Sequence, residues 1–455
     1  MTAKTLSVFY GTIIHSQSLT ELEIIENGLL IVDRTSGVIQ RLERNVSNPE
    51  EALKDLDASS YELHKMSPHQ FLLPGFIDTH AHAPQYVFAG SGMELQLLDW
   101  LNANVFPVES SFASTDMARK SYTKVVSRFL RNGTTTCSWF ATIHLEACKV
   151  LVDIIRELGQ RAYVGKVNMD QNSPDFYVEK TQESLDATRA FIEYTLPHGP
   201  LVTPVVTPRF AITCSSTLMK GLSALASEYK VPIQTHLCEN HNEINFTCSL
   251  FPDSKHYTGI YHDHGLFTAS ENVYMAHCVH MEDDEIQLLK ENNVGISHCA
   301  NSNFSLQSGV CDVRRFLESG VKVGLGTDVA GGYAPSMLDA VRSSFFASKV
   351  QLMRHRDELN KPDYKVLGTT ELVYLATMGG ARVLGLQDTI GNFEQGKAFD
   401  ALFVDLDLAN SPVDVMGHEN KTQLLEKFLF NGSDQSLAHV FVQGRRVAGA
   451  ASVPL

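Results

Sequence analysis

Leu73-Pro74-Gly75-Phe76-Ile77-Asp78-Thr79-His80-Ala81-His82-Ala83-Pro84-Gln85 runs an apolar segment straight into two histidines separated by one alanine. Successive side chains of a strand point to opposite faces, so His80 and His82 share a face and their imidazoles can converge on one ion. Pro74-Gly75 turns the chain sharply into this strand, and Pro84 ends its ladder just past the second histidine. The pair therefore sits at a strand's carboxyl end. Two histidines at this spacing are a weak signal alone, so further ligands must come from downstream.

Outward from this stretch, apolar runs of strand length alternate with amphipathic helical windows, the pattern of a parallel sheet built from βα units. The candidate strands are 73–78, 134–140, 161–168, 201–207, 231–237, 272–277, 294–298 and 322–328. Between them, Tyr122, Val125, Val126, Phe129 and Leu130 recur at helical spacing and end at Gly133. Leu145, Cys148, Leu151, Val152 and Ile155 do the same before Gly159, and Leu218, Leu222, Leu225 and Tyr229 form a third such face. Eight strands with intervening helices predict a (β/α)8 TIM-like barrel, whose chemistry sits at the carboxyl edge of the strands. An open doubly wound sheet is the alternative, but no Gly-x-Gly-x-x-Gly follows a first strand.

Both chain ends read differently. Short β-branched runs at 7–14, 28–33 and 37–42 suggest a small antiparallel sheet, and 45–65 is polar and weakly helical. Runs at 399–405, 428–430 and 440–447 mirror them. The expected organisation is a small composite β-sandwich domain built from 1–70 and 386–455, flanking a catalytic barrel over 71–385.

The chain has 455 residues, 44% hydrophobic and 20% charged, with a formal net charge of −15. No block of Lys and Arg stands out, which argues against nucleic acid or an anionic membrane as partner and for a small molecule. Met1-Thr2-Ala3-Lys4-Thr5 opens no apolar leader, and no apolar run reaches bilayer-spanning length, so a cytoplasmic enzyme is expected. The eight cysteines are scattered without a Cys-x-x-Cys pair and read as free thiols, mostly in the core.

If the barrel is correct, further ligands should lie at other strand ends. The fifth candidate strand ends in His236-Leu237-Cys238-Glu239, the sixth in His277 and the eighth in Asp328. Any one of these could be a satisfied polar group of the core. Together, His80, His82, His236 and Asp328 make a donor set suited to Zn²⁺, with Fe²⁺ possible on the same ligands.

Pro-Gly-Phe-Ile-Asp-Thr-His-Ala-His at 74–82, His236 with Glu239, His277 and Gly-Thr-Asp at 326–328 together resemble the amidohydrolase superfamily of metal-dependent barrel hydrolases. Binuclear members carry a metal-bridging lysine at the end of the fourth strand. Here that position reads Thr207-Pro208-Arg209-Phe210, which favours the one-metal branch and one zinc per chain. Within it, the resemblance narrows to the guanine-deaminating family, through 82–86, 134–136, 140–144, 207–210, 326–332 and 391–397. Ala300 stands where that family has proline in His298-Cys299-Ala300-Asn301-Ser302-Asn303, and the loop is expected to be looser there. His280 is expected to be a surface or loop histidine.

The resemblance implies hydrolysis of guanine by water to xanthine and ammonia, with these small molecules rather than nucleic acid or membrane as partners, in a homodimer. Zinc acidifies a water toward pKa ~7 for attack at C2. Glu239, His277 and Asp328 are the catalytic candidates: Glu239 as proton shuttle, Asp328 as ligand and second proton acceptor, His277 as donor or orienting group. Gln85, Arg209, Phe210, Trp100 and Glu239 are the candidate substrate contacts, with the Arg209 fork directed at O6 and a ring nitrogen. Two rival readings stay open: another one-metal deaminase, acting on cytosine, a triazine or a modified adenosine, and a noncatalytic scaffold.

Overall fold

The computed structural model describes residues 4–450; residues 1–3, part of the N-terminal stretch read above, and 451–455 lie outside them. The deciding stretch serves two sheets. Gln70–Pro74 pairs with Ala401–Asp405 and Leu6–Ser18, whereas Phe76–His82, one residue later, is the first strand of a barrel. Gly75 makes this change of sheet possible, because a Cβ there would lie 2.1 Å from Thr135 Oγ1.

From Phe76–His82 the parallel pairing runs through Thr134–Phe140 and Arg161–Gly165 to Val202–Pro204. Short extensions, Val167–Asn168 and Thr207–Pro208, pair with each other, and Val206 bridges to Ile233. The second half continues through Ile233–Leu237, Val273–His277, Gly295–His298 and Val323–Leu325, again all parallel. The ring closes at its carboxyl edge, where the Asp328 N–H donates to the His80 carbonyl and the His82 N–H to that of Val329, both at 2.9 Å. Each candidate strand of the middle region thus has its counterpart in a TIM-like barrel. Closure falls on the histidine pair itself.

The helices follow their apolar spacing. Thr115–Arg131 buries Tyr122, Val125, Val126, Phe129 and Leu130, and Leu145–Leu158 buries Cys148, Leu151, Val152 and Ile155 before stopping at Gly159 with φ 82°. Ser216–Tyr229 buries Leu218, Leu222 and Leu225, while Tyr229 is half-buried.

Both chain ends contribute strands to one eight-stranded sheet. It is mixed rather than antiparallel, because Tyr61–Lys65 and Gln70–Pro74 both run parallel to Leu6–Ser18. The sheet curls far enough that the Phe9 ring lies 5.2 Å from Phe399 and 5.9 Å from Phe441. Only Pro49–Ala52 of the stretch read as weakly helical forms a helical turn. Phe428-Leu429-Phe430 is not a strand but the end of helix Lys421–Asn431, whose buried face is Leu424, Leu425, Phe428 and Leu429. Three apolar residues cannot by themselves separate period 2 from period 3.6, and here the wider spacing decided.

Among the described residues no helix is long and apolar enough to cross a membrane. The eight cysteines are free and seven are buried. A buried ion pair, Arg161 Nε to Asp400 Oδ2 at 2.9 Å, ties the third barrel strand to the terminal sheet.

Candidate active site

The strands that carry the candidate ligands end in unusual backbone. Cys238, His277, Cys278 and Asp328 have φ of 49°, 72°, 51° and 47°. Left-handed backbone costs a non-glycine residue about 1–3 kcal/mol and persists where the surroundings enforce it, most often at functional sites. These turns bring three strand ends against the first. Asp328 Oδ1 lies 3.0 Å from His80 Nε2 and 3.4 Å from His82 Nε2, and Asp328 Oδ2 is 3.8 Å from His277 Nε2. His82 Nε2 and His236 Nε2 are 3.2 Å apart.

One atom each from His80, His236, His277 and Asp328 forms a group within 4.8 Å. His82 is thus not part of the tightest four, but it adjoins it through both His236 and Asp328. The tautomers favour metal binding. His236 Nδ1 lies 2.6 Å from the Arg209 carbonyl and His277 Nδ1 2.9 Å from Asn303 Oδ1. Each Nδ1 must donate to its oxygen, so each Nε2 carries the lone pair. His277 Nε2 is buried without a hydrogen-bond partner, and His80 Nε2 faces the Asp328 carboxylate alone. Burial keeps His80, His236 and His82 neutral by lowering their pKa, His82 to about 4. Burial opposes ionisation of Asp328, yet the imidazoles around it, His80 first, hold its carboxyl well below the usual range. Neutral imidazoles and one carboxylate, buried and incompletely satisfied, suit a borderline divalent cation.

Glu239 stands just past the fifth strand, its Oε2 3.4 Å from His277 Nε2 and its Oε1 accepting a 2.8 Å bond from the Ser308 hydroxyl. Burial, reinforced by the charge of Asp328, pushes Glu239 up to about 8. Every predicted site residue except His80 lines one cavity; His80 lies behind, its ring 4.8 Å from that of Phe140. Gln85 arrives on the turn Ala83–Phe88 directly after the histidine pair, and Arg209 and Phe210 directly after Thr207–Pro208. Trp100 ends the short helix Leu97–Trp100 and packs against Phe88 at 5.7 Å.

Sequence reasoning missed Glu109. This fully buried carboxylate accepts from Arg209 Nη1 at 2.6 Å and Nη2 at 3.2 Å, from Gln85 Nε2 at 2.9 Å and from the Tyr177 hydroxyl at 2.8 Å. The Arg209 fork expected to face a base is therefore partly engaged, and only its remaining N–H groups are free for one. Asn303 and Ser308 were missed as partners of His277 and Glu239. His280 lies in the loop after the sixth strand, as expected, and is half-buried there: its Nε2 lies 2.6 Å from the Ser308 carbonyl, and its ring stacks on His241 at 3.8 Å. Ala300 does not loosen its segment. It is the first residue of helix Ala300–Ser305, whose first four residues are buried, a position that alanine and proline both suit because its N–H has no partner within the helix.

Residues 71–447 match the model of the amidohydrolase family, and the chain belongs to that family. More narrowly, it is similar to the guanine deaminase of Dictyostelium discoideum, 43% identical over 452 residues and covering 98% of both chains. The guanine deaminase of Mus musculus is 43% identical over 448 residues, covering 97% of this chain and 96% of its own. The crystal structure of guanine deaminase from C. acetobutylicum with guanine bound in the active site superposes with a TM-score of 0.88 at 34% identity, covering 97% of this chain and 99% of that one.

Proposed function

We propose that the enzyme hydrolyses guanine to xanthine and ammonia with one zinc ion per chain. The observation that carries this is the meeting, in one buried cavity, of lone-pair imidazoles and Asp328 with Glu239 and with the donors of Gln85 and Arg209. The similarity to guanine deaminases over nearly the whole chain supports the same substrate.

His80, His82, His236 and Asp328 are the residues that would hold the ion, and the chemistry it supplies there is a water acidified toward pKa ~7. Glu239 takes a proton from the attacking water and returns it to the ring nitrogen beside C2. Its position just past the fifth strand, with Oε2 3.4 Å from His277 Nε2, puts one carboxyl in reach of both the water and the ring. Asp328 takes the second proton and gives it to the departing amine, so that xanthine and ammonia account for every atom of guanine and water. His277 orients the water by accepting one of its hydrogens, since the Asn303 bond leaves the lone pair at Nε2.

The remaining N–H groups of Arg209 and Gln85 meet O6 and a ring nitrogen, and Phe210 and Trp100 flank the base. Adenine would leave buried donors unpaired, at about 1–3 kcal/mol each. A noncatalytic scaffold would have no use for a buried carboxyl at Glu239 beside an intact ligand set. We also take the chain to divide into a barrel over 71–385 and a small β-sandwich from 1–70 and 386–455, and to act as a cytoplasmic homodimer on a free base. The net charge of −15 supports a small-molecule partner over nucleic acid or membrane.

The test is the purified chain with guanine, assayed for xanthine and ammonia before and after metal stripping and zinc readdition. One zinc per chain and restored turnover are expected. Full turnover after stripping, or no ammonia from guanine with zinc bound, would reject the proposal.

A further inference from the structure

We infer that Glu109 sets the specificity of the site for a 6-oxopurine edge, acting as a positioning residue through Arg209 and Gln85. This rests on the guanine reading above and adds to it the device that enforces the substrate class.

Glu109 belongs to the short helix Phe106–Ser110 and does not line the cavity. An ionised carboxylate offers about four acceptor sites. All are taken: Oε1 accepts from Gln85 Nε2 and Arg209 Nη2, and Oε2 from Arg209 Nη1 and the Tyr177 hydroxyl. Glu109 has nothing left to offer a substrate. Its effect must pass through the groups it holds.

Those groups are fixed on more than one side. Phe106, from the same helix, lies under the Arg209 guanidinium with 5.3 Å to the ring centroid, so one helix supplies both the carboxylate and the aromatic face for this arginine. The Gln85 amide donates to Glu109 and accepts from the Ala330 N–H at 3.2 Å. Flipping it would set its oxygen against a carboxylate and its nitrogen against an N–H. The cavity therefore presents N–H donors from Arg209 and the second Nε2 hydrogen of Gln85. A substrate edge carrying an oxo group and an unprotonated ring nitrogen satisfies them, whereas an exocyclic amine opposes them.

The test compares guanine with 2-aminopurine, which keeps the C2 amine and lacks the 6-oxo group. The native enzyme should favour guanine in kcat/KM by about 100-fold or more, because a missing oxo group leaves buried donors unpaired. In Glu109→Gln an amide N–H replaces an acceptor and faces a donor, so kcat/KM should fall for both substrates but more for guanine, lowering the guanine preference at least about tenfold. A merely structural role would lower both substrates together and leave their ratio unchanged. Glu109→Asp keeps the charge on a shorter arm and should give an intermediate ratio, and it carries the test if the glutamine variant does not fold. Metal content and the thermal midpoint are measured on each variant. An unchanged ratio in either folded variant, or equal turnover of the two substrates by the native enzyme, overturns the inference. No ammonia from either substrate would instead remove the guanine reading beneath it.

Discussion

Glu239→Gln exchanges one oxygen for nitrogen and leaves the shape of the side chain intact. The amide oxygen can keep the 2.8 Å bond from the Ser308 hydroxyl, which directs the amide nitrogen to the Oε2 position, 3.4 Å from His277 Nε2. There it donates to the lone pair that the Asn303 bond leaves on that ring. None of His80, His82, His236 and Asp328 loses a contact, so one metal per chain should remain. What disappears is the buried carboxyl whose Oε2 stands 3.4 Å from His277 Nε2, the group placed to take a proton from the water and return it to the ring. A positioned acid–base group contributes about 10²–10⁴ in rate, which corresponds to about 3–5 kcal/mol of barrier. Steady-state ammonia release at saturating guanine, with zinc quantified on the same preparation, reads both quantities. We expect kcat to fall about 100- to 10,000-fold. Activity within tenfold of native with the metal retained would remove Glu239 from the proton transfers. Loss of the metal along with activity would make it a ligand.

Asn303→Ala frees the His277 tautomer, and kcat should drop about 10- to 100-fold with metal retained; unchanged turnover would show that the ring needs no such partner. Arg209→Ala leaves the Glu109 carboxylate buried and uncompensated, so urea unfolding should show a loss of about 3–5 kcal/mol, and a loss below about 1 kcal/mol would mean that water reaches the site. His298 has both ring nitrogens buried without a partner, and burial pushes its pKa down to about 3. Because the folded value is the lower one, the unfolded chain binds the proton first. The stability this ring contributes is full above its ordinary value and is lost as pH falls from 6.5 toward 3. In zinc-stripped protein, His298→Leu should flatten the acid limb of stability by up to about 1.4 kcal/mol per pH unit, and identical limbs would refute the assignment.

The metal-site candidates were legible because each lies at the end of an apolar run of strand length, with Pro74-Gly75 and Pro84 bounding the histidine pair and Gly326 preceding Asp328. The barrel was legible for the same reason, its eight runs recurring with helical windows between them. Glu109 was not, because its importance lies in partners 24, 68 and 100 positions away in the chain and in no local pattern. Its helix is only five residues long and carries no amphipathic signal. Asn303 and Ser308 were hidden likewise, as ordinary polar residues whose roles come from what the fold brings against them. The Phe428 segment shows the opposite failure: a local apolar signal too short to fix its period, decided by a helix that starts at the Asn420 cap.

The most direct measurement is ammonia release by the zinc-loaded enzyme from guanine, adenine, cytosine and a triazine under identical conditions. Turnover of guanine with the other three nearly inert is the predicted result; turnover of cytosine or adenine equal to that of guanine, or none of guanine, would contradict the account.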